Sequence, residues 1–75
     1  MKITAEQKEA IRKVVDYSIG EERVHLDEHI ATMWDVDTTD MEDKELHKFC
    51  QDNEVEHIWN ELYILDRLIE NKQPW

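Results

Sequence analysis

The chain is short of nearly everything that builds tight turns, cross-links or phosphate loops, with one glycine, one proline, one cysteine and one serine. A single glycine rules out a Gly-rich phosphate cradle, and so few turn formers argue against a sheet of short strands joined by hairpins. Cys50 has no second cysteine to pair with, so there is no internal disulfide. Ser18 has no histidine and aspartate partners by motif, which leaves no nucleophile constellation. No apolar run approaches the roughly 18 residues of a membrane span. The opening Met-Lys-Ile-Thr-Ala-Glu carries no apolar signal-peptide stretch, so the expectation is a cytoplasmic protein. Basic residues are scarce, nine against nineteen acids, and direct binding to nucleic acid or anionic lipid needs the lysines and arginines missing here.

What is present points to helix. The chain is 37% charged, 40% hydrophobic and rich in Glu, Leu, Ile and Lys, which is too apolar for a disordered acidic tail. Its 75 residues allow one domain, residues 1–75. A chain of this size buries only roughly 60% of its unfolded surface, so a second copy is an expected source of stability. The net charge of −10 is unevenly placed: residues 21–66 hold fifteen acids against Arg23, Lys44 and Lys48. The densest part is Asp35 to Glu45, where six of eleven residues are carboxylates.

Thr4-Ala5-Glu6-Gln7 has the form of a capping box and starts a helix near Ala5. Ile11, Val15, Ile19, Leu26, Ile30 and Met33 then fall within an arc of about 100°, the width of a core-facing stripe. The stripe keeps its phase past Gly20, so one long helix to about Trp34 is preferred over a break at Ser18-Ile19-Gly20. Thr39-Asp40-Met41-Glu42 reads as a second capping box, predicting a short helix from about Asp40. Its apolar residues Leu46, Phe49 and Cys50 lie across the wheel from Val55, Ile58, Trp59, Leu62, Leu65 and Ile69, so the helix must break between the two sets. Asp52-Asn53 is the expected break, with Asn53 as the next N-cap and a last helix running to about Asn71. The fold expected is all-α: a small three-helix antiparallel bundle, one long, one short and one medium helix, with dimerisation through an exposed Trp75 as one option.

Chemistry candidates are few. His25 and His29 are four apart, and His47 and Cys50 three apart, so the two pairs could in principle supply four tetrahedral zinc ligands. The spacing is permissive only, and no Cys-x-x-Cys accompanies it. Asp35-Val-Asp37-Thr-Thr39 resembles the start of a calcium loop, but Asp40 stands where glycine is needed and Leu46 where a bidentate Glu is needed. The expectation is a non-enzyme without cofactor or metal.

Function must then come from surface. Carboxylates three and four apart on helices can imitate the regular charges of duplex DNA, so an acidic helical protein can occupy a basic nucleic-acid groove. The leading expectation is an inhibitor or modulator of a basic, nucleic-acid-handling protein, using Asp35, Asp37, Asp40, Glu42, Asp43 and Glu45. In size, charge and lack of catalytic parts the chain resembles the small counter-defence proteins of phages and other mobile elements, of anti-CRISPR or anti-restriction type, without sharing a motif with any family. The alternative is an adaptor or antitoxin-like regulator binding by an apolar helix face around Trp34, Met33, Met41 or Trp75.

Overall fold

The computed structural model describes residues 3–71, which form three helices and no strand: α1 (Ala5–Trp34), α2 (Asp43–Asp52) and α3 (Ile58–Ile69). Trp75, the expected dimer anchor, lies outside the described residues. At 30 residues α1 is about 45 Å long. The principal extents of 43 × 21 × 19 Å are those of this helix with two short ones beside it.

The start of α1 follows the capping box. The Gln7 amide donates to the Thr4 hydroxyl at 3.1 Å, and the Thr4 amide donates to the Gln7 side chain at 2.9 Å. The helix runs unbroken through Gly20, where an added Cβ would meet nothing within 4 Å. Glycine there costs about 1 kcal/mol relative to alanine, and 30 residues of continuous helix absorb that cost. At the other end Asp35 takes the left-handed conformation (φ 55°, ψ 41°) that terminates a helix, in the place glycine usually fills.

The core is one cluster of Leu26, Ile30, Leu46, Cys50, Val55, Trp59 and Tyr63, with Ile19, Trp34, Val36, Met41 and Phe49 partly buried against it. The predicted stripe of α1 is buried only in its middle: Val15, Leu26 and Ile30 are inside, whereas Ile11 and Met33 are exposed. The cause is length. α3 has 12 residues, about 18 Å, and cannot cover a 45 Å helix end to end. Within α3 the buried set is Trp59, Tyr63 and Ile69, and the expected core residues Ile58 and Leu65 face solvent. Tyr63 turns the helix inward because its ring stacks on Trp59 at 5.3 Å and lies against His47 at 4.8 Å, aromatic contacts that a count of aliphatic positions omits.

The break near Asp52-Asn53 is where the sequence puts it, but its chemistry differs. Asn53 closes α2 instead of opening α3. The Val55 amide donates to the Cys50 carbonyl at 2.8 Å and the Glu54 amide to Gln51 at 3.4 Å, with Glu54 left-handed at φ 55°. That is the Schellman arrangement, and burial of Val55 fastens it. The N-cap of α3 is His57, whose Nδ1 accepts from the Trp59 amide at 3.1 Å.

Candidate acidic docking surface

The connector from α1 to α2 is organised by a residue of α1. Arg23 donates through Nε to Asp27 at 3.3 Å, through one terminal nitrogen to Asp43, and through the other to the carbonyls of Thr38 at 3.0 Å and Met41 at 2.6 Å. Its guanidinium also lies 6.0 Å from the Trp59 ring centroid. Thr38, fully buried, donates its hydroxyl to Asp27 at 2.6 Å, and the Met41 amide donates to the Thr38 carbonyl at 3.1 Å. Five donors in a fixed planar fork let one arginine satisfy two carboxylates and two backbone carbonyls, which a lysine cannot do. Neither Arg23 nor Thr38 is singled out by sequence reasoning. The available signal was a lone arginine among the acids of residues 21–34, where no other arginine or lysine occurs.

This frame sorts the six candidate carboxylates, all of them exposed. Asp43 is taken up by Arg23. Asp37 accepts both the amide (3.0 Å) and the hydroxyl (2.6 Å) of Thr39, and these bonds hold its carboxyl below the usual range. Thr39 is therefore part of a turn and not an N-cap, and α2 begins at Asp43 behind Glu42, which makes no side-chain cap. The expected capping box at Thr39–Glu42 does not form, because Asp37, two residues back, captures the Thr39 hydroxyl first. Asp40, Glu42 and Glu45 consequently have no hydrogen-bonding or ionic partner for their carboxylates among the described residues, and Asp35 contributes its backbone alone. A groove of about 350 Å³ lined by Asp27, Glu28, Ala31, Asp35, Val36, Asp37 and Thr39 joins the connector to the end of α1.

The zinc constellation does not assemble. His25 and His29 are exposed on α1 while His47 and Cys50 are buried on α2, and among the described residues no three His, Cys, Asp or Glu side chains are grouped to hold a metal ion. An open groove of about 910 Å³ between α2 and α3 includes His47, Cys50, His57 and Asn60 in its walls. Burial pushes the Cys50 thiol up, away from the reactive thiolate. Both ring nitrogens of His47 and the Asn60 Oδ1 have no hydrogen-bond partner.

His57 is set for a pH effect. Burial lowers its pKa, with Glu22, whose carboxylate is 3.8 Å from Nε2, acting the other way, and His29 and His25 adding to the decrease. Because its folded pKa is depressed, the unfolded chain takes up the proton first, and stability falls as pH drops through and below the ordinary value of 6.5. Protonation also turns Nδ1 from acceptor to donor and removes the cap. We expect His57→Asn, which caps without titrating, to hold its melting temperature better than wild type between pH 7.5 and 5.5. The gap should grow to the equivalent of up to about 1 kcal/mol. Parallel curves for the two proteins would remove His57 from the pH response.

No helix among the described residues is long and apolar enough to cross a membrane. No protein-family model, curated protein or solved structure matches the chain.

Proposed function

We propose that the chain is a small acidic modulator, not an enzyme, that acts in the cytoplasm by occupying the basic site of a nucleic-acid-handling protein, as inhibitors of the anti-CRISPR or anti-restriction kind do. The observation that supports this best is the placement of Asp40, Glu42 and Glu45: exposed, without internal partners, on a segment that Arg23 and Thr38 fix to α1. Charges carried on a backbone already held in place leave only side-chain freedom to lose on binding, so more of their attraction to lysine and arginine survives as affinity. We infer also that α1 and α3 run antiparallel. His57 at the start of α3 meets Glu22, and Glu70 beyond its end meets Arg12, which supports that direction.

Asp37 and Asp43 hold the fold, so changing them would confuse loss of binding with loss of structure. We expect the triple change Asp40→Asn, Glu42→Gln, Glu45→Gln to leave the melting temperature level or slightly raised through relief of repulsion. Affinity for a partner captured from lysate should fall at least tenfold, about 1.4 kcal/mol, and depend less steeply on salt. The captured partner should be basic, and duplex DNA should compete for the same site. Equal affinities for wild type and variant at low and high salt would remove the connector from the mechanism.

The adaptor reading loses most of its named residues. Trp34 and Met41 are partly buried against the core, and Met33 alone of the described three is exposed. A different apolar face exists, however, on the outer side of α1.

A further inference from the structure

The side of α1 turned away from the core carries a seven-residue repeat. Ala10, Tyr17, Val24 and Ala31 recur at intervals of seven, and Val14, Glu21 and Glu28 stand four residues after the first three, so all seven lie on one seam about 32 Å long. Every one of them is exposed, Val14 at 66%, Tyr17 at 71% and Val24 at 57%. Gly20 flanks this seam, one turn from both Tyr17 and Val24. Together with Tyr17, Glu21, Val24 and His25 it lines a depression of about 470 Å³. Among the described residues nothing approaches the place where its Cβ would be, so packing among them gives no reason for a glycine in the middle of an exposed helix.

We propose that this seam docks a basic amphipathic helix, with one apolar side chain of that helix seated in the notch over Gly20 between Tyr17 and Val24. An apolar row recurring every seven residues, here Ala10, Tyr17, Val24 and Ala31, is the pattern that a second helix, supercoiling along the first, can follow. The charge selects the partner's sign. Glu6, Glu9, Glu21 and Glu28 flank or interrupt the seam, and the base beside them, Lys13, lies 3.9 Å from Glu9. A second copy would bring these acids against its own, whereas lysines or arginines flanking an apolar ridge would meet them. Glu28 and Ala31 also line the groove that leads to Asp35 and Asp37, so the seam continues into the connector. The inference rests on the proposed function in taking the partner as basic, and extends it by adding an apolar ridge on α1 to the charged contact.

The test uses the full chain and a synthetic 21-residue helical peptide with leucines at the seven-residue seam positions and lysines flanking them. A second peptide replaces the leucines with serine. Binding is followed by calorimetry, and self-association by sedimentation equilibrium. The wild type is expected to bind the Leu/Lys peptide at least tenfold more tightly than the Ser/Lys peptide. Gly20→Leu should raise the melting temperature, since leucine is the better helix former at an open position, yet weaken that peptide at least tenfold. Glu21→Lys with Glu28→Lys should weaken it as well. Gly20→Leu binding like wild type, or equal binding of the two peptides, would overturn the proposal, as would a dimer of the chain alone that Gly20→Leu dissociates. The Asp40, Glu42, Glu45 triple variant separates the two readings in the same titration. Loss there with no loss in Gly20→Leu keeps the charged connector and discards the seam; the reverse keeps the seam and discards the connector.

Discussion

Replacing Arg23 with alanine is expected to destabilise the protein by about 2 to 3 kcal/mol, a large share of the roughly 4 to 11 kcal/mol that a chain of this length holds. The loss follows from what is left behind. Asp27 keeps its charge in a position only 13% exposed, and the carbonyls of Thr38 and Met41 lose the donors that fixed the connector. The figure is set below the 3 to 5 kcal/mol typical of a fully buried broken pair because Arg23 is 18% and Asp43 51% exposed, so water replaces part of what is removed. Arg23→Lys should recover less than half of the loss, since one ammonium cannot serve two carboxylates and two carbonyls at these positions. Urea denaturation at constant m-value measures both. An Arg23→Ala midpoint equivalent to less than about 0.5 kcal/mol of change would show that the connector is held by something else.

A second large effect is expected at Trp59. It is the largest fully buried side chain, at 0% exposure, and touches both Tyr63 and the Arg23 network. Trp59→Ala should cost about 3 to 5 kcal/mol, a large share of the roughly 4 to 11 kcal/mol available, so the variant should show reduced helical circular dichroism at 37 °C. Trp59→Phe separates packing from polarity. The indole Nε1 is buried without a hydrogen-bond partner, so removing it relieves an unmet donor and offsets part of the lost volume. The phenylalanine variant should therefore lie within about 1.5 kcal/mol of wild type. A Trp59→Phe loss well above that figure would mean that the indole N–H is bonded in solution.

These two residues mark a boundary between what was legible in the sequence and what was not. Apolar periodicity, the Thr4–Gln7 capping box, the phase of the stripe across Gly20 and the scarcity of turn residues were enough for three helices, the extent of α1 and the break near Asp52. All of these depend on residues within a few positions of one another, where helical spacing alone decides who meets whom. The acidic run at Asp35 to Glu45 was equally visible, because charge density needs no fold to be counted.

Only the tertiary structure decided which of those acids are occupied. Arg23 and Asp43 are twenty residues apart, and no local rule pairs them; the pairing exists because the connector turns back and brings the first residue of α2 to the Arg23 side chain. Thr39 offered a cap by its spacing to Glu42, yet Asp37 took its hydroxyl, since two hydrogen-bonding options of similar local merit are separated only by where the chain goes next. The inward rotation of α3 toward Tyr63 and the exposure of Ile11 and Met33 have the same origin. Periodicity finds a face, but how much of that face is covered depends on the length and stacking of the element opposite, and in this chain a 12-residue helix faces a 30-residue one.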